Sequence, residues 1–184
     1  MRRGFKTEAE KISQEIRTAM GKRPTDPLDA LDLAKHLGAW VRRADELTTL
    51  SKLRALEELQ PGAFSACTFT LEDRHVIVYS PLALPGRTQS DVAHETSHII
   101  LRRAPKEVRS VGKIAFFTCD PDEEQEANWL AGCLLLPRPL LLSALRRGID
   151  AAGIAAAYGV SEQMAHFRIR TTGVERQLSA IRRA

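Results

Sequence analysis

Long apolar runs are missing from this sequence: nothing approaches the roughly 20 residues a membrane-spanning helix needs, so no membrane segment is expected. Cysteine is scarce and odd in number, with Cys67, Cys119 and Cys133 lacking the paired spacing of a cysteine metal site. That pattern argues against a disulfide framework and suits a reducing, cytoplasmic setting. The start, Met1-Arg2-Arg3-Gly4-Phe5-Lys6, leads into charged residues rather than a signal-peptide core. There is no internal repeat and no low-complexity segment. The net charge of +4 comes partly from arginines near the C-terminus and is too small to argue nucleic-acid binding alone. At 184 residues the chain reads as one domain, residues 1–184, able to build a core without disulfide staples.

What is present divides the chain into three parts. Residues 1–62 read as helical. Thr7 with Glu10 suggests a capping box ahead of Ala9, Ile12, Ile16 and Met20 at helical spacing. Asp26 and Pro27 suggest the start of a second helix that stops at Gly38, followed by a short strand at Ala39–Arg43 and a helix at Leu47–Leu59. In residues 63–147 the period changes. Phe64–Leu71 and Arg74–Tyr79 are rich in β-branched and aromatic residues around Glu72-Asp73, as in a hairpin. Thr88 with Asp91 suggests the cap of the next helix, and Asp120-Pro121 that of another, whose Ala127, Leu130, Ala131, Leu134 and Leu135 form an apolar stripe. Pro137 and Pro139 are expected to end that helix, with two or three short helices following to the C-terminus, and residues 148–184 form the last, helical part.

The sharpest signal is His94-Glu95-Thr96-Ser97-His98. On a helix the two histidines stand one turn apart on one face, so both imidazoles can reach a single metal ion. Glu95 lies at the rim of that face, where a carboxylate can accept a proton from an attacking water. A catalytic zinc needs three protein ligands and an open position. The acidic cluster Asp122-Glu123-Glu124-Gln125-Glu126 is the natural source of the third. Glu126 is expected to point away from the apolar stripe, and Glu123 has a local role as partner of the cap Asp120. Glu124 has none, which favours it over its neighbours, and it shares a side with Asn128, a candidate hydrogen-bond partner for a liganding histidine.

These two motifs together, His94-Glu95-x-x-His98 and Glu124-x-x-Ala127-Asn128-x-x-Ala131-x-x-Leu134-Leu135-x-Pro137, resemble the ImmA/IrrE family of metallo-endopeptidases. Phe64-Ser65-Ala66, Ile77-Val78-Tyr79-Ser80-Pro81 and Arg87-x-x-Ser90-Asp91 fit the same pattern, as do the Ala9-Glu10 helix and Asp26-Pro27-Leu28, so the resemblance covers most of the chain. Leu130, where the family usually has Phe, and Cys133, at a variable site, are small departures. The resemblance implies an α+β, zincin-like (gluzincin-type) domain, with a small antiparallel sheet packed on the metal helix and helices on either side. It implies Zn2+ held by His94, His98 and Glu124, with Glu95 as catalytic base. The implied substrate is a transcriptional repressor, commonly with a helix-turn-helix domain, whose cleavage relieves repression. Some relatives carry a further sensory domain, for which this chain is expected to have no room.

Donors to an oxyanion are sought among Tyr79, His75, Tyr158 and His166, which sequence does not rank. Strand Arg74–Tyr79 is a candidate edge for an extended substrate. His36, alone between Lys35 and Leu37, is read as structural. Two rival functions remain. The metal site could serve a non-proteolytic antirepressor or interaction protein. Alternatively, Ile154 to Ile169, with a turn at Gly159 and Ser161 as cap, resembles a helix-turn-helix in which Arg168, Arg170, Arg176, Arg182 and Arg183 would meet DNA phosphates.

Overall fold

The computed structural model describes residues 1–102, 107–111, 114–118 and 120–181, with side chains described outside the two strands between 107 and 118. Cys119, Arg182 and Arg183 lie outside the described residues. The class is α+β, as expected: α1 (Phe5–Ala19), α2 (Ala30–His36), β1 (Trp40–Arg43), α3 (Leu50–Leu59), β2 (Ala66–Leu71), β3 (Arg74–Tyr79), α4 (Pro85–Ile100), β4 (Glu107–Val111), β5 (Ile114–Thr118), α5 (Pro121–Leu135), α6 (Arg138–Arg146), α7 (Ala151–Tyr158), α8 (Glu162–Thr172) and α9 (Val174–Ile181). Among the described residues four helices therefore follow Pro137, where two or three were expected. The hairpin β4–β5 was not foreseen at all.

The three-stranded sheet has the order β1-β3-β2. Strand β2 runs antiparallel to β3 through a tight turn at Glu72 and Asp73, both at positive φ (46° and 64°). That left-handed pair matches the twist of the flanking strands, and aspartate tolerates it better than most side chains. Strand β1 pairs parallel with β3, Trp40 opposite Val76 and Arg43 opposite Tyr79, with α3 and β2 intervening in the chain. The sheet is therefore mixed, not antiparallel. It also makes β3 the middle strand, so Arg74–Tyr79 is not the free edge that its sequence suggested. Among the described residues the edges are β1 and β2.

Alternation along β3 explains how the sheet is packed. Ile77 joins a large core with Val92 and Ala93 of α4, while Val76 and Val78 join Ala44 and Leu53 on the other face. The sheet thus lies on α4. Helix α5 is the hub of the rest. Ala131 and Leu135 enter the core shared with α4, and Trp129, Leu130, Cys133 and Leu134 pack against Phe5 and Ala9 of α1. Burial runs almost all round this helix, beyond the single stripe read from its sequence, and an α-helix that is apolar all round belongs in an interior.

Several caps differ from expectation. Helix α1 starts after Gly4 with no side-chain cap, and Glu10 is drawn instead to Arg138 and Arg168. Helix α2 is capped by Asp29, whose carboxylate accepts from the Leu31 and Asp32 amides. Asp26 serves the preceding loop by binding Arg23. Helix α4 begins at Pro85, one turn before Thr88, and Asp91 pairs with Arg87 rather than closing a cap. Asp120 and Pro121 do start α5, with the Asp120 carboxylate on the Asp122 amide. No single helix among the described residues is long and apolar enough to cross a membrane.

Candidate metal centre

The site depends on two helices being held in fixed register. At the start of α4, Gly86 lies where a Cβ would sit 2.6 Å from the Val160 carbonyl oxygen, so the α7–α8 turn can press directly on the helix. The Ser90 and Ser161 hydroxyls meet at 3.2 Å across that contact. Gln89 reaches the other way, accepting from the Ala30 amide at 2.6 Å and donating to Asp29 at 2.7 Å. Within α4 the buried hydroxyls of Thr96 and Ser97 donate to the Val92 and Ala93 carbonyls, so burial leaves neither hydroxyl unmet.

Helix α5 is fastened at its far end by an arrangement that the sequence did not disclose. The last carbonyls of a helix have no partner within it. Here Ser13 donates to the Cys133 carbonyl at 2.7 Å, Arg17 to those of Leu134 (2.8 Å) and Leu135 (3.3 Å), and Arg168 to that of Leu136 (3.0 Å). Two guanidinium groups at a helix C-terminus also oppose its dipole. At the other end Glu126, which was expected to point away from the core, is 1% exposed and held by the Arg2 backbone amide and side chain. Gly132 makes room for the clasp, since a Cβ there would lie 2.5 Å from Cδ of Arg168.

Between these anchors α4 packs on α5, and three side chains converge. The Nε2 atoms of His94 and His98 are 3.1 Å apart, with the rings edge to face. The Glu124 carboxylate lies 3.2 Å from His94 Nε2 through one oxygen and 3.4 Å from His98 Nε2 through the other. Donors on a tetrahedral zinc, with bonds of about 2.0–2.1 Å, stand about 3.3 Å from one another. The observed triangle has that size. Its chemistry points the same way, because imidazole and carboxylate lone pairs facing inward need a proton or a cation between them. All three side chains keep some exposure, at 17%, 12% and 24%, which leaves a way in for solvent or substrate. Glu95 is buried at 3% exposure beside them on α4. Asp91, one turn earlier, has its carboxyl raised by burial, a rise that the Arg87 guanidinium at 2.9 Å only partly offsets.

Other expected participants stand elsewhere. Asn128 is exposed and makes no hydrogen bond to either imidazole, and among the described residues the buried Nδ1 of His94 has no hydrogen-bond partner. Tyr79 packs in the main core, its hydroxyl raised by burial and within reach of the Arg43 charge. His75 pairs with Thr70 near the hairpin turn, Tyr158 accepts from Arg147, and His166 is exposed on α8. None of the four is joined to the triad by a hydrogen bond among the described residues.

Helices α7 and α8 are joined by a tight turn, with Gly159 left-handed and Ser161 capping α8. Its use on DNA is not supported. Arg168 is fully buried, and the start of α8, the part that such motifs place against bases, sits on α4.

A model of the IrrE N-terminal-like domain, a peptidase family, matches residues 34–170. A Mycobacterium tuberculosis transcriptional regulator of known structure superposes with a TM-score of 0.53 at 19% identity. The match covers 92% of this chain and 48% of that one, so the chain spans about half the regulator's length, and at this identity the likeness is one of fold. Comparison with curated proteins gives no match.

Proposed function

This chain belongs to the family of IrrE N-terminal-like peptidase domains, and on that footing we propose that it is a zinc-dependent endopeptidase of the gluzincin type acting on a protein substrate. The observation that supports this most is the triangle of His94, His98 and Glu124, sized for one ion and open on one side. When bound, zinc supplies a Lewis acid that acidifies a water and polarises a scissile carbonyl. His94 and His98 would hold the ion through their Nε2 atoms and Glu124 would hold it through its carboxylate. Glu95 takes the proton from the attacking water on its carboxylate and delivers it to the departing amine. Because β3 is the middle strand of the sheet among the described residues, an extended substrate would have to add at an outer strand rather than at β3.

The substrate we propose is a transcriptional repressor with a helix-turn-helix domain, inactivated by the cut. Residues 1–184 would act as one catalytic domain in the cytoplasm. The test is to incubate the zinc-loaded protein with the repressor encoded nearest to its gene, alongside Glu95→Gln. Cleavage by the parent, with none by a Glu95→Gln variant that still carries zinc, supports the proposal. Equal relief of repression by both proteins would instead make this a binder that does not cut.

A further inference from the structure

Eight of the eleven large apolar side chains that stand exposed among the described residues lie between Leu37 and Leu71, so exposure is concentrated in the part of the chain that builds the sheet. The register shows where three of them meet. Trp40 of β1 and Phe69 of β2 both lie opposite Val76 of β3, and Leu71 lies opposite Arg74. Side chains directly opposite one another share a face of a sheet, as do alternate residues along a strand. Trp40, Phe69, Leu71 and Arg74 therefore stand on the face of Val76 and Val78, whereas Ile77 on the other face packs on α4. The Arg74 guanidinium carbon lies 5.0 Å from the centre of the Trp40 ring, as that placement requires.

Ala44, Leu53 and Phe64 pack against this face at Val76 and Val78. Toward the hairpin turn the face is bare, with Trp40 44%, Phe69 39% and Leu71 52% exposed. The solvent side of a sheet is normally polar, and three large apolar side chains at adjoining positions break that rule. A contiguous apolar patch of this kind marks an interaction surface. Charges at its rim select the partner. Leu71 and Arg74 flank the turn residues Glu72 and Asp73, so both signs of charge stand at one corner of the patch. Among the described residues Glu72, Asp73 and Arg74 form no ion pair, and all three are exposed. A partner of one charge sign would match part of this corner and be repelled by the rest. A second copy of the same face, turned about a two-fold axis, sets Arg74 against the carboxylates of the other copy and the reverse.

We propose that this face pairs with that of a second copy of the chain in a closed two-fold dimer. Trp40, Phe69 and Leu71 form its apolar centre, and Glu72, Asp73 and Arg74 its ionic rim. A two-fold dimer uses one patch twice, so a single self-complementary surface is enough. The patch and α4 lie on opposite sides of the sheet, so pairing does not engage the metal centre.

Sedimentation equilibrium of the full chain reads the pairing directly. The parent should reach a monomer–dimer equilibrium with a Kd of about 100 µM or tighter. Phe69→Glu/Leu71→Glu, at two exposed positions, should weaken it at least about tenfold while the circular dichroism spectrum is kept. A charge-swap arm is specific to this face. Arg74→Glu makes the corner wholly acidic, and Glu72→Lys/Asp73→Asn makes it wholly basic, so each variant alone sets like charges across the axis and should stay monomeric. Mixed in equal amounts, the two should pair again. Four results would overturn the proposal: a parent monomeric at about 100 µM, assembly beyond the dimer, an apolar double variant that pairs as the parent does, or a mixture that stays monomeric. None of them involves zinc or cleavage, so this proposal and the peptidase reading stand or fall separately.

Discussion

Replacing Arg168 with methionine should cost far more than removing an ordinary helix arginine. The side chain is fully buried, donates to the Leu136 carbonyl at 3.0 Å and forms an ion pair with Glu10. Methionine keeps most of the stem that packs over Gly132 but deletes the guanidinium. Removing one partner of a fully buried ion pair costs about 3–5 kcal/mol. Glu10 keeps 27% of its exposure and can recover some hydration, so roughly 2–4 kcal/mol is the expected loss. With a urea slope of about 2 kcal/mol per molar, the unfolding midpoint should fall by roughly 1–2 M. Arg170, exposed two residues on, supplies the control, and Arg170→Met should stay within about 0.5 kcal/mol. Pairing Arg168→Met with Glu10→Gln should cost less than the two singles added, by about 1–3 kcal/mol. Urea denaturation followed by far-ultraviolet circular dichroism measures all four variants. An Arg168→Met loss no larger than that of Arg170→Met would refute the clasp at the end of α5. The same result would restore Arg168 as a candidate surface contact.

Gly86→Ala places a methyl group 2.6 Å from the Val160 carbonyl oxygen, and the backbone must shift to admit it. A loss of about 1–3 kcal/mol is expected, seen as a lowered melting temperature. Cys133 is fully buried, and burial pushes its thiol up to about 12, so iodoacetamide should spare it in the native protein and modify it after unfolding; peptide mass mapping reads the difference. Zinc that binds only the folded chain should stabilise it by about 2.7 kcal/mol when free zinc is a hundred times its Kd. Calorimetry with and without chelator should show that gain in the parent and lose most of it in His98→Ala.

The convergence of His94, His98 and Glu124 was legible in sequence because its determinants are local. His98 follows His94 by four positions on one helix, and Glu124 stands at a fixed distance past a cap that Asp120 and Pro121 announce. What failed was of longer range. Pairing of β1 with β3 crosses more than thirty residues, and nothing in Trp40–Arg43 states whether it will lie parallel or at an edge. Asp26 and Asp29 both precede helix-compatible residues, and Arg23 in the loop decides which of them is left to cap α2. Arg168 looked like a surface charge because arginine usually is one. The available clues were its place beside Ala165 and Ile169 on the buried face of α8, and a glycine, Gly132, in the middle of an otherwise apolar helix. Asn128 was assigned by its spacing from Glu124, but side-chain direction around a helix that is buried nearly all round leaves it facing outward.

Anomalous diffraction from zinc-loaded crystals, collected on either side of the zinc absorption edge, tests the metal site itself. The expected map has one strong peak about 2.0–2.1 Å from Nε2 of both His94 and His98 and about 2.0–2.2 Å from a Glu124 carboxylate oxygen. A peak bound to other side chains, or none between α4 and α5 at full zinc occupancy, would contradict the account.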